Sequence, residues 1–82
     1  MRLDDYLSTV FLIKRRTVAK EWVQAGKVKL NGKASKPGKE VRPGDRLEIT
    51  YPRQKAVFEI LEIPRKSVPK GEAEKFYKQA IK

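Results

Sequence analysis

Lys14, Arg15 and Arg16 stand in line, Lys20 follows one helical turn later, and Lys27, Lys29, Lys33, Lys36 and Lys39 continue the series. Glu21 is the sole acid between positions 14 and 39, so nine basic residues face one carboxylate there, and most of the chain's net charge of +10 is concentrated in this stretch. With no histidine in the sequence, that charge persists across the physiological range. A planar guanidinium grips a phosphate through two parallel N–H bonds, whereas an ammonium supplies only a point charge. Arg15 and Arg16 are therefore the strongest candidates for holding a polyanion, with the lysines as an electrostatic surround, and nucleic acid is the implied ligand. The second basic stretch, 64–82, reads as a solvated lysine-rich face.

Other chemistry is poorly provided for. The absence of cysteine and histidine removes disulfides, thiolates, imidazole bases, Ser-His-Asp and Cys-His catalysis and most zinc sites. Asp4 and Asp5 are adjacent, point in different directions and have no nearby base, so they read as first-turn helix carboxylates; Asp4 is also placed to hold an arginine of the next helix in position. No spacing of acids resembles a calcium loop, and Gly26, Gly32, Gly38 and Gly44 are too scattered to cradle a phosphate. No catalytic residue, metal or cofactor is expected. The longest uncharged apolar stretch, Val10 to Ile13, is far below the roughly 18 residues of a membrane span, and Arg2, Asp4 and Asp5 break any signal-peptide pattern. A cytoplasmic location is the expectation.

The elements that must position the cations can be read from periodicity. The 82 residues are 39% hydrophobic and 37% charged, but the apolar ones fall into periodic runs that allow one small core. Leu3, Tyr6, Leu7 and Val10 predict a short first helix, and Val10 to Ile13 lead into a second near Lys14 to Ala25, with Val18, Ala19, Trp22 and Ala25 inward and Arg16, Lys20 and Gln24 outward. Gly26 ends that helix at positive φ. Val28 and Leu30 predict a strand closed by the Asn31-Gly32 turn. Lys36-Pro37-Gly38 and Pro43-Gly44-Asp45 mark further turns around an apolar anchor, Val41. Leu47, Ile49 and Tyr51 alternate as a half-buried strand, and Ala56 to Ile63 predict another, stopped by Pro64. Ala73, Phe76, Tyr77, Ala80 and Ile81 have helical spacing, which predicts a C-terminal helix, docked on the sheet or loose. The aromatic residues Tyr6, Phe11, Trp22, Tyr51, Phe58, Phe76 and Tyr77 read as core rather than as stacking platforms, so phosphate contact and RNA shape are the expected mode of binding. The expected class is α+β: two short N-terminal helices on a small, curved, mostly antiparallel sheet, with a C-terminal helix.

These residues carry a family resemblance. Met1-Arg2-Leu3-Asp4, Leu7, Lys14-Arg15-Arg16-Thr17, Ala19, Gly26, Val28, Asn31-Gly32, Lys36-Pro37, Val41 and Gly44-Asp45 resemble, in order and spacing, the RNA-binding domain named after ribosomal protein S-four. The signal is strongest over 1–51 and implies a domain at 1–63, followed by a basic linker and helix at 64–82. In that family the second helix with the following strand and turn forms the RNA face. Carried over by position, the resemblance implies RNA contacts from Arg2, Lys14, Arg15, Arg16, Thr17, Lys20, Asn31, Lys33 and Lys36. Asn31 serves either RNA or the turn, and Thr17 either RNA or packing at the helix start.

The opening Arg-Leu-Asp and the run from Ile13 to Lys20 further resemble the stand-alone RqcP family, relatives of the small heat-shock ribosome-associated protein. That resemblance implies a monomer bound to a large ribosomal subunit obstructed by peptidyl-tRNA. It would contact ribosomal RNA and the tRNA in ribosome quality control, with a nascent-chain tail-elongation factor as a further partner. The alternatives are a general structured-RNA binder, such as an assembly or tRNA-handling chaperone, and a polybasic membrane-surface protein. The last is opposed by the core's need for the apolar helix faces.

Overall fold

The computed structural model describes residues 1–65 and 67–81. Helix α1 (Leu3–Thr9) and helix α2 (Arg16–Gln24) precede strands β1 (Val28–Leu30), β2 (Lys33–Ala34), β3 (Arg46–Thr50) and β4 (Lys55–Ile60). A 3-10 helix (Lys70–Lys75) and strand β5 (Tyr77–Ile81) complete the chain. The five strands form one antiparallel sheet in the order β2-β1-β3-β4-β5. Because side chains alternate along a strand, Val28, Leu30, Leu47, Ile49, Ala56, Phe58 and Ile60 all fall on one face, where they meet Leu3, Tyr6 and Leu7 of α1 and Val10 at its C-terminal cap. The opposite face carries Lys29 paired with Glu48, and Arg46 paired with Glu59, which in turn pairs with Lys78.

The inner face of α2 is rotated from the expectation. Ala19 and Val23 are buried, Val18 and Trp22 are half-buried, and Ala25, the helix C-cap, is exposed. With about 100° between successive residues, a core stripe on 19 and 23 leaves 18 and 22 on one flank and 16 and 20 on the other. Trp22 uses its flank to meet Tyr51 edge to face, with ring centroids 5.7 Å apart. Arg16 is thereby placed at the seam beside α1 rather than diametrically away from the core. The helix also starts later than expected, at Arg16, because Arg15 is extended (φ −134°) and Lys14 lies before it.

Gly26, Asn31-Gly32 and Gly44 take positive φ at turns, and each is a residue that accepts it. Gly26 (φ 79°) ends α2, and Asn31-Gly32 (φ 53° and 81°) closes the β1-β2 hairpin with the handedness that suits twisted strands. One further such position is unlike these. At the end of α1 the Phe11 N–H donates to the Ser8 carbonyl (3.2 Å) and the Leu12 N–H to the Leu7 carbonyl (3.0 Å), the paired bonds of a Schellman ending. The residue that must turn left-handed there is Phe11 itself, at φ 61°. Its side chain is 46% exposed, against its expected place in the core.

The C-terminal helix is not present in the described residues. Its segment forms the 3-10 turn and then β5, which pairs with β4 from Val57 to Ile60; Lys82, the last residue of the expected helix, lies outside the described residues. The free edge of β4 offers a row of hydrogen-bonding groups that a docked strand satisfies and a helix cannot. Tyr77 then meets Phe58 edge to face at 5.3 Å, and Val68 and Ala73 join the core. Strand β4 ends at Ile60, earlier than Ile63, where the chain turns so that the N–H groups of Leu61 and Glu62 both reach the Phe76 carbonyl.

The Tyr6 hydroxyl also donates to the Phe76 carbonyl, at 2.8 Å, fastening this C-terminal segment to α1. Burial first, and then the neighbouring Tyr77, push the Tyr6 phenol well above its ordinary pKa of 10.0. The native state therefore holds this proton more tightly than the unfolded chain, so the stabilisation is full below about pH 10 and is lost as pH rises beyond it. Urea midpoints are expected to be level from pH 7 to 9 and to fall above pH 10, with Tyr6→Phe flattening the fall. An equally steep fall in Tyr6→Phe would show that other groups govern alkaline unfolding.

Candidate nucleic-acid interface

Asp4 organises the candidate interface. It lies in the first turn of α1 and is 1% exposed, yet it is an acid in a chain rich in cations. Burying a carboxylate is tolerable only when it is paired. Arg2 provides the pairing side-on: its Nε donates to Oδ1 and its Nη2 to Oδ2, both at 3.2 Å. Arg16, brought to the α1 seam by the rotation of α2, places Nε 3.8 Å from Asp4 Oδ2. One buried carboxylate thus holds two guanidinium groups whose side chains are about half exposed, 51% and 52%. The expectation that Asp4 positions an arginine of the next helix is met, and a second arginine joins it.

Arg2 is held from its other side by the backbone. It bridges to Glu40, the Leu3 N–H donates to the Lys39 carbonyl (2.8 Å), the Asp4 N–H to the Pro37 carbonyl (3.1 Å), and the Val41 N–H to the Met1 carbonyl (3.0 Å). The N-terminal residues are thereby stitched to the 37–41 loop. The guanidinium lies over Gly38, where an added Cβ would sit 3.5 Å from Nη2. Gly38 in turn lines an open groove of about 1150 Å³, whose other walls are Leu30, Asn31, Lys33, Ala34, Ser35, Lys36 and Lys39. Three lysines and no acid line it among the described residues. Arg16, Asp4, Arg2, Gly38 and the lysine groove form one continuous path across the surface.

The structure therefore brings together Arg2, Arg16, Asn31, Lys33 and Lys36 of the residues singled out in the sequence. Lys14, Arg15, Thr17 and Lys20 are exposed on α2 or just before it, alongside Arg16. Asn31 holds the turn together, since its Nδ2 donates to Asp45 Oδ1 (3.1 Å) and its Oδ1 accepts the Arg46 N–H (2.9 Å). Asp45 Oδ2 also accepts the Arg42 N–H at 2.9 Å, so the two polar side chains join the hairpin tip to the 42–46 turn. Lys39, in sequence only one member of the charge run, lines the groove as well.

Tyr51 is a positioning residue that sequence reasoning misses. Its hydroxyl donates to the Leu12 carbonyl at 2.9 Å across 39 residues, pinning the α1-α2 linker that delivers Lys14 and Arg15. The only sequence signal for it is its place in the strand alternation. Lys27 stands 5.5 Å from the centroid of the Trp22 ring, a cation–π placement at the opposite end of α2.

Phosphate oxygens suit such a surface: fixed guanidiniums present planar donor pairs, and the groove lysines add field without a competing carboxylate. Among the described residues there is no group of three or more acids that could hold a metal ion, and no helix is long and apolar enough to cross a membrane.

Comparison with known proteins identifies the family. Residues 1–47 match the S4 domain family. The RQC P-site tRNA stabilizing factor of Helicobacter pylori (strain J99) is 42% identical over 71 residues, which cover 85% of this chain and 84% of that protein. The factor of the same name from Bacillus subtilis (strain 168) is 36% identical over 77 residues, 94% of this chain and 88% of its own. In three dimensions, the trimeric structure of Vibrio cholerae Heat Shock Protein 15 superposes with a TM-score of 0.92 at 29% identity, covering 98% of this chain and 81% of that one. The family match, the identity to these factors over most of both chains and the shared fold lead to one conclusion: the chain belongs to the S4 domain family, in the branch it shares with the small RQC P-site tRNA stabilizing factors.

Proposed function

We propose that this protein is a non-catalytic RNA-binding factor of ribosome quality control. It binds the large ribosomal subunit as a monomer in the cytoplasm and stabilises the peptidyl-tRNA retained there while a tail-elongation factor extends the stalled chain. The carrying observation is the continuous cationic path from Arg16 through Arg2 to the lysine groove, organised by one buried carboxylate. Arg2 and Arg16 grip ribosomal RNA phosphates. Lys14, Arg15, Thr17 and Lys20 extend that contact along α2, and Lys33 and Lys36 follow the backbone into the groove. The amide of Asn31 keeps the hairpin tip in place, with its remaining N–H available to a phosphate. The names of the relatives support the ribosomal setting.

Co-sedimentation with separated ribosomal subunits across a salt series tests the proposal. Large subunits retaining peptidyl-tRNA are expected to bind more tightly than vacant ones, with the preference surviving moderate salt. Equal binding to every RNA, lost together as salt rises, would leave a general structured-RNA binder.

A further inference from the structure

Phe11 occupies a position for which folding gives no reason. The left-handed backbone it adopts, φ 61°, is the ordinary place of glycine at a Schellman ending, and for a bulky side chain it is an outlier that the rest of the structure must enforce. Burial does not repay that strain, because the ring is 46% exposed while its neighbours Val10, Leu12 and Ile13 are all buried. The segment is held from below: Leu12 and Ile13 are in the core, and the Tyr51 hydroxyl clamps the Leu12 carbonyl at 2.9 Å. An aromatic ring is thus fixed outward on a rigid turn. Exposed Lys14, Arg15 and Arg16 follow it closely, and no acid occurs from Tyr6 to Lys20.

We propose that Phe11 is a stacking platform for an unpaired nucleobase of the bound RNA, a deepening that rests on the RNA-binding function proposed above. The cationic run anchors the backbone while the ring takes one base face, the combination by which single-stranded segments are held without sequence preference. The exposed, acid-free cationic run that follows the ring in sequence favours RNA over an apolar protein patch. A pre-fixed ring also loses little freedom on binding.

The test uses an RNA hairpin with 2-aminopurine in its loop, a blunt duplex of the same stem, and the full chain with Phe11→Gly, Phe11→Leu or Phe11→Tyr. Glycine relieves the backbone but gives up the covered part of the ring, so Phe11→Gly is expected to melt within about 4 °C of the unsubstituted protein, yet to bind the hairpin about ten-fold more weakly. Its duplex affinity and salt slope should match the unsubstituted protein. Phe11→Tyr should retain hairpin binding and quench the 2-aminopurine as phenylalanine does, whereas Phe11→Leu should lose both. Unchanged hairpin affinity in Phe11→Gly, or full affinity in Phe11→Leu, would overturn the stacking role. So would weaker binding of Phe11→Gly to large subunits with unchanged hairpin affinity, which would assign the ring to a protein contact. If the unsubstituted chain binds neither RNA in a salt-dependent way, the RNA-binding function itself fails and stacking falls with it.

Discussion

Replacing Asp4 with alanine is expected to cost about 2 kcal/mol of stability and to weaken binding to the large ribosomal subunit at least as much as loss of Arg16 does. Removing one partner of a buried ion pair costs roughly 3–5 kcal/mol when the charge left behind stays buried. Here the two arginine side chains are about half exposed and regain water, so the figure is discounted. Even about 2 kcal/mol is a large share of the roughly 4–12 kcal/mol available to a domain of this size. The functional loss has a separate origin. Without the carboxylate, both guanidiniums lose the anchor that aims them, and each must be ordered again by the RNA at an entropic cost. Thermal unfolding and subunit co-sedimentation measure the two effects. A variant that unfolds as expected when heated but binds subunits normally below its transition would show that Asp4 serves the fold alone.

The double substitution Arg15→Ala/Arg16→Ala is expected to weaken RNA binding by about a hundred-fold, if each arginine makes one charge-assisted phosphate contact. The slope of log K against log salt should fall by about 2. Folding should be little affected, because both residues are exposed and Asp4 keeps its two hydrogen bonds to Arg2. The control is Arg53→Ala/Lys55→Ala, which removes the same charge from the exposed β3-β4 turn and the first residue of β4. Fluorescence anisotropy at several salt concentrations separates the cases. Equal losses in the two double variants would reduce the role of Arg15 and Arg16 to net charge, with no located phosphate contact.

Much of this is legible in the amino-acid order because the governing rules are local. Asn31-Gly32 marks a hairpin since both residues accept positive φ. The alternation of Leu47 and Ile49 marks a half-buried strand, and the cations between 14 and 39 mark an anionic ligand. Local rules fail at the C-terminus, where Ala73, Phe76, Tyr77 and Ala80 satisfy helical spacing. The decision between helix and strand depends on the unpaired edge of β4, which no window of sequence contains. Phe11 misleads for a related reason. Apolar composition identifies a core residue only when the backbone direction at that position is known, and a left-handed turn reverses it.

The sequence by itself determined that the chain is of the α+β class, that imidazole and thiol chemistry are excluded, and that the cations concentrated from Lys14 to Lys39 suit an RNA-like polyanion. Tertiary structure alone decided how those cations converge: α2 rotates to bury Ala19 and Val23, which swings Arg16 to the α1 seam. Backbone bonds to the 37–41 loop set Arg2 beside it on Asp4 and Gly38. Charge is additive along a chain and can be counted, whereas the direction of each guanidinium depends on contacts between residues far apart in sequence.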